Sequence, residues 1–190
     1  MKNKMKELFE DYKGVHVLYC YKGMESYMED VVDYIEAGVL EEEYVVLIEN
    51  DHVYHKIHQE LSTRLTSEHI KFVHWVNNFD FYYSSGSCHP PSIFDYFNKT
   101  MQTYMENKIS FRAWAHVEWA TMEEPLHIIE DLETTVDAAL YKLQFPLICA
   151  YQKERMPEYL KTLLMTSHPY ILLEDDIIVS EHYKSPMKAK

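Results

Sequence analysis

The chain has 190 residues, 47% hydrophobic and 14% aromatic, which suits one domain with a single substantial core and argues against a disordered chain or a repeat array. Lys and Arg number 18 against 31 Asp and Glu, and the net charge of -13 opposes attachment to DNA, RNA or an anionic membrane, so direct nucleic-acid binding is not expected. Tyr occurs 16 times, which predicts a surface rich in tyrosine.

Residues 1–13 read as a lead-in, with positive charge but no apolar core of signal-peptide length. No stretch approaches the ~20 apolar residues of a membrane span, so a cytoplasmic protein is expected. Residues 15–21 are nearly continuous in strand-favouring types, as in a strand covered on both faces. After Gly23, the positions Met24, Tyr27, Met28, Val31, Val32 and Ile35 recur at helical spacing, with Gly38 placed to end the helix. Residues 44–48 predict a second buried strand, and Val53, Ile57, Leu61 and Leu65 a second helix.

A third strand is expected over 70–76. Residues 77–92 then form the longest stretch without a helical pattern; with Phe79, Phe81, Tyr82 and Tyr83 it reads as a lid or cover. Ile93, Phe97, Met101, Tyr104 and Met105 line a helix after Pro90-Pro91, and residues 111–119 make strand four. Pro125 suits the first turn of a helix carrying Leu126, Ile129, Leu132, Val136, Ala139 and Leu143. Residues 147–151 follow as strand five, a short helix starts near Met156-Pro157, and 170–173 is the last strand. The order of the tail, 175–190, is left open.

This alternation predicts an α/β fold: one domain over 1–190, a mostly parallel sheet with helices on both faces in three layers. The first strand-to-helix turn, from Tyr19 to Glu25, is where a nucleotide-binding domain of this frame carries its phosphate loop. Such a loop needs glycines that let backbone N–H groups converge, a Lys, and a Ser or Thr for Mg²⁺. Here one Gly, one Lys and a Ser stand in the wrong order.

Ligands of open α/β sheets bind beyond the carboxyl ends of the strands. The unusual residues there are Tyr19, Tyr21, Gly23, Glu25 and Tyr27 after strand one, Glu49 and Asn50 after strand two, Glu118 and Trp119 after strand four, and Tyr151 after strand five. Glu118 closes an otherwise aromatic and apolar strand, where a carboxylate is costly to bury unpaired; Arg112 is the charge expected beside it. Met24, Tyr27 and Met28 suit a helix core as well as an apolar pocket wall.

Other candidates reduce to structural readings. His52, His55 and His58 step around a helix rather than converge, so no metal is assigned. Cys88-His89 lacks a third orienting group for a catalytic dyad. His168, before Pro169, reads as a helix-ending hydrogen bond. Cys20, Cys88 and Cys149 are an odd count without CxxC spacing and read as buried free thiols in a reducing compartment. No cofactor is expected.

Together, His16-Val17-Leu18-Tyr19, Phe81-Tyr82-Tyr83, Arg112, Glu118-Trp119, Leu147-Ile148-Cys149-Ala150-Tyr151, Ser167-His168-Pro169 and His182-Tyr183 with Pro186 resemble the MEDS domain, the sensory domain of methanogens, methylotrophs and a regulator of dichloromethane metabolism. The resemblance implies a RecA-like or KaiC-like frame with a degenerate phosphate loop, and a sensor of small hydrocarbon-like molecules. Family members are commonly joined to a helix-turn-helix segment or a histidine kinase; this chain carries neither, so signalling is expected to pass through a partner protein such as a kinase or transcription regulator. Expected ligand contacts are Tyr19, Tyr21, Gly23, Glu25, Tyr27, Arg112, Glu118, Trp119 and Tyr151, with no catalytic residue and the oligomeric state open. Two alternatives stand beside this: weak nucleotide hydrolysis using Glu118 with Lys22 or Arg112, and a ligand-free protein-binding adaptor.

Overall fold

The six predicted strands, with a seventh that the sequence did not suggest, assemble one sheet in the order β3-β2-β4-β5-β1-β6-β7. They are β1 (His16–Tyr21), β2 (Tyr44–Glu49), β3 (Val73–Asn77), β4 (Phe111–His116), β5 (Leu147–Gln152), β6 (Tyr170–Leu172) and β7 (Ile177–Val179). The computed structural model describes residues 14–83, 85–86, 88–118, 126–173 and 176–185. β1 to β6 pair in parallel, and β7 runs antiparallel to β6. The helices are α1 (Met24–Leu40), α2 (Asp51–Arg64), α3 (Ser67–Ile70), α4 (Asn78–Tyr83), α5 (Pro90–Glu106), α6 (Leu126–Leu143) and α7 (Glu158–Ser167).

The central strands are apolar on both faces because each face is covered. Val17, Tyr19 and Tyr21 of β1 share one core with Val31 and Ile35 of α1 and Ile57 and Leu61 of α2. Leu18, one residue out of phase, joins the opposite core with Phe97 and Met101 of α5, Leu132 and Leu140 of α6, and Leu164 of α7. Alternate side chains of a strand point to opposite faces, so one register serves both cores. Among the described residues, no helix is long and apolar enough to cross a membrane.

Several expectations need correction. The supposed lid contains α4, with Phe81 and Tyr82 buried in the α5–α7 core; of the four aromatics that suggested a cover these two are core residues, while Tyr83 is half-buried and Phe79 is exposed. Ile70 belongs to α3, and the third strand starts at Val73. Residues beyond Asp175 include β7, so part of the tail is sheet. Gly38 does not end α1, which runs to Leu40; it is buried, and a Cβ there would lie 2.8 Å from Arg112 Cδ. Close approach of Arg112, not a helix stop, requires the glycine.

Nor do most tyrosines go to the surface. Tyr19, Tyr21, Tyr27, Tyr34, Tyr82, Tyr104 and Tyr151 are buried, whereas Tyr141 and Tyr159 are exposed. The thiols of Cys88 and Cys149 are buried as expected, and Cys20 is half-buried.

The pairing register sets four carboxyl ends side by side. Tyr21 lies opposite Gln152, His116 opposite Ala150, and Ile48 opposite Ala115. The edge formed by β2, β4, β5 and β1 therefore gathers residues that are 100 or more positions apart in the chain.

Candidate sensory cleft

At that edge, Tyr21, His116, Val117, Glu118, Tyr151, Gln152, Arg155, Met156 and Leu160 line a narrow cleft. It has room for roughly one water molecule. Val117, Met156, Leu160 and Tyr151 bring apolar surface to it, and Tyr21, His116, Glu118 and Arg155 bring polar groups.

Glu118 lies two residues past β4, and its Oε2 accepts from the side-chain amides of Asn50 at 2.7 Å and Asn78 at 2.9 Å. Asn50 is also the N-cap of α2, its Oδ1 accepting from Val53 N–H, so the carboxylate is anchored to a helix start. Burial opposes the charge of Glu118, but His116, the two amides and Arg155 outweigh it and hold the carboxyl below its usual range. The expected partner Arg112 is not among these groups. It sits at the other end of β4, where Nε donates to Glu43 at 2.6 Å and the guanidinium lies 5.4 Å above the Tyr34 ring.

Behind the cleft a polar chain runs inward. His116 bridges Tyr21, whose hydroxyl is 2.7 Å from Nε2, and Glu49, whose Oε1 is 2.7 Å from Nδ1. Glu49 Oε1 also accepts from Asn50 N–H, and Oε2 accepts from the Tyr27 hydroxyl at 2.5 Å. Trp114 Nε1 donates to Tyr27 at 3.0 Å. With three donors on one buried carboxylate, Glu49 is the acceptor that orders the chain, and Nδ1 of His116 carries the proton. Burial, then Glu118 and Glu49, push the Tyr21 hydroxyl well above its ordinary range, so it stays protonated.

Of the residues singled out from sequence, the structure brings Tyr21, Glu118 and Tyr151 together at the cleft and places Tyr27 directly behind it. Tyr19 is elsewhere: its hydroxyl donates to Asp30 of α1. Gly23 caps α1 in an extended conformation with open space where a Cβ would stand. Glu25 is exposed in the first turn of α1, where a negative charge faces the positive end of the helix. Trp119 lies outside the described residues. The histidines 52, 55 and 58 are exposed on α2, with His55 3.4 Å from Asp51, and His89 is exposed while Cys88 is buried. His168 does end α7: its backbone N–H and its Nδ1 both lie within hydrogen-bond distance of Leu164 O.

Sequence reading overlooked His116 within an aromatic run. It also overlooked a second group: His16, Glu133, Cys149 and His168, fully buried beneath α6, with ligating atoms all within 4.8 Å of one another.

A family model described as MEDS, the MEthanogen/methylotroph, DcmR Sensory domain, matches residues 15–169. The chain belongs to the MEDS family. The matched span contains every residue lining the cleft, so the cleft is part of the MEDS domain rather than an addition to it. It also contains the buried group under α6, and it ends just before β6. No curated protein matches the chain. A sensory family fits a site with binding geometry: polar groups at fixed positions, apolar surface, and a hydrogen-bonded chain leading into the core.

Proposed function

We propose that this MEDS domain is a non-enzymatic cytoplasmic sensor that takes a small apolar or hydrocarbon-like molecule in the cleft at the carboxyl ends of β1, β4 and β5 and signals through a partner protein, such as a histidine kinase or transcription regulator. The carrying observation is the pairing of apolar surface, from Val117, Met156 and Leu160, with fixed polar points at Tyr21 and Glu118. An apolar occupant gains contact with that surface, and a single polar atom on it meets Tyr21 or Glu118. The kinship with RecA-like and KaiC-like frames implied by the family belongs to the same proposal: Lys22 and Gly23 occupy the position of a phosphate loop without its glycines.

The narrow space bounds the occupant. With room for about one water, anything larger than one or two heavy atoms must move Met156 or Leu160, side chains suited to repacking. Binding then shifts the short segment from Lys153 to Arg155 and the start of α7, which offers a route to a partner surface.

The test is thermal shift and amide NMR with short-chain alcohols, aldehydes, haloalkanes and carboxylates, with ATP and Mg²⁺ in parallel. Stabilisation by a member of the organic panel, lost in Tyr21→Phe and Glu118→Gln, supports the sensor. Stabilisation by ATP with Mg²⁺, and turnover abolished by Glu118→Gln, would establish the nucleotide alternative instead. No response to either set leaves the adaptor reading.

A further inference from the structure

Four chemically matched side chains converge under α6 from distant parts of the chain. His16 opens β1, Cys149 lies in β5, Glu133 projects from α6, and His168 ends α7; their exposures are 0, 4, 2 and 0%. His16 Nε2 is 3.4 Å from Cys149 Sγ and 3.5 Å from Glu133 Oε2, and His168 Nε2 is 3.5 Å from the same Glu133 oxygen.

Hydrogen-bond logic makes this arrangement unsatisfied. Nδ1 of His168 donates to Leu164 O at 2.8 Å, which leaves Nε2 as the lone-pair nitrogen. That lone pair faces Glu133 Oε2, another acceptor, and neither atom has a hydrogen-bond partner. Glu133 Oε1 is taken by the Tyr151 hydroxyl. Two acceptors turned toward each other in a dry interior repel unless a positive centre stands between them.

We propose that His16 Nε2, Glu133 Oε2, Cys149 Sγ and His168 Nε2 bind one divalent transition-metal ion, with zinc the best match. A tetrahedral zinc bound by nitrogen, oxygen and sulfur at its usual bond lengths has ligand-to-ligand edges of about 3.3–3.6 Å, and the three observed separations fall in that range. One thiolate, two imidazoles and a carboxylate form a borderline-soft set that favours zinc over magnesium or calcium. Outer groups stand near the far nitrogens. Leu164 O holds Nδ1 of His168, Asp137 Oδ1 stands 3.3 Å from Nδ1 of His16 without completing a hydrogen bond to it, and the Tyr183 hydroxyl donates to Asp137 Oδ2 at 2.8 Å. Carboxylates and carbonyls on the far nitrogen are how protein sites orient metal-binding histidines. Four protein ligands complete the coordination, so the site is structural: it ties β1, β5, α6 and the end of α7. The inference is independent of whether the cleft takes a ligand.

The experiment uses the full chain freed of metal by chelator, titrated with Co²⁺ and then Zn²⁺. One Co²⁺ per chain is expected, with visible bands of tetrahedral intensity and a thiolate-to-cobalt charge-transfer band, both bleached by Zn²⁺; Zn²⁺ should raise the melting temperature. Cys149→Ser should remove the charge-transfer band, and Asp137→Asn, which leaves all four ligands, should keep the band and weaken affinity roughly tenfold. A His52→Gln/His55→Gln/His58→Gln chain should bind as the parent does. A folded metal-free chain that gives no tetrahedral cobalt spectrum overturns the proposal, as does binding lost in the triple variant or a charge-transfer band retained in Cys149→Ser.

Discussion

Nδ1 of His116 lies 2.7 Å from Glu49 Oε1 in a part of the protein where neither side chain is more than 2% exposed. Because Glu49 also accepts from Tyr27 and from Asn50 N–H, Glu49→Gln puts an amide donor against groups that already donate. The variant should lose about 3 kcal/mol of stability, or about 6–12 °C in melting temperature for a chain of this size, as read by thermal unfolding.

Gly38 and Gly23 should respond unequally to alanine. At Gly38 the new Cβ meets Arg112 Cδ at 2.8 Å and Val45 Cγ2 at 3.0 Å, and Arg112 is pinned by Glu43 and Glu41. Overpacking outweighs the gain in helix propensity, and Gly38→Ala should cost about 1–2 kcal/mol. Gly23→Ala, at an extended residue with open space around it, should stay within about 0.5–1 kcal/mol of the parent. Urea unfolding of the two variants side by side checks the contrast.

Glu118 carries an acid-side pH dependence. Its folded carboxyl is held below the ordinary value of 4.5, so the unfolded chain binds the proton more readily. The stabilisation is complete above the unfolded value and is lost as pH falls through the folded one. The melting-temperature gap between the parent and Glu118→Gln should be constant from about pH 7 to pH 6 and shrink steadily below about pH 4.5. His116, Tyr21 and Arg155 line the same cleft and Glu49 stands behind it, so the difference between the two chains, not either curve alone, is the quantity to measure.

The C-terminal strand should be structural. Tyr183→Phe leaves Asp137 Oδ2 without its donor in a buried position and should cost about 1–3 kcal/mol. A chain ending at Leu173 loses that bond and β7 as well, uncovering the β6 edge. Lower stability and concentration-dependent association by light scattering are expected, since an unpaired strand edge is a template for pairing.

The parallel strands were legible because a strand buried on both faces leaves a run of apolar residues, as in β1, β2 and β5. β7 was not, since three residues among acidic neighbours carry too little pattern. α4 was misread because its aromatics are weak helix formers and the placement of Phe81 and Tyr82 is decided by the core they enter. At the cleft, Tyr21, Glu118 and Tyr151 could be found from the rule that strand ends bind ligands, whereas the pairing with Arg112 overlooked that six residues along the predicted strand, roughly 20 Å, separate it from Glu118. The group under α6 left a faint trace: His16 and Cys149 in apolar strands, with Glu133 and Asp137 four apart on an apolar helix. Parity and register, which only the assembled sheet supplies, bring them together.

Tyr151 belongs to two compartments at once: its ring lines the cleft and its hydroxyl donates to Glu133. A guest that fits without rotating the ring is invisible to the interior. On the sensor reading proposed above, a guest that turns it must strip a buried carboxylate of its donor, and the cost of that step would make the response a latch with a threshold rather than a dial. Guest size, more than affinity, then decides which molecules register.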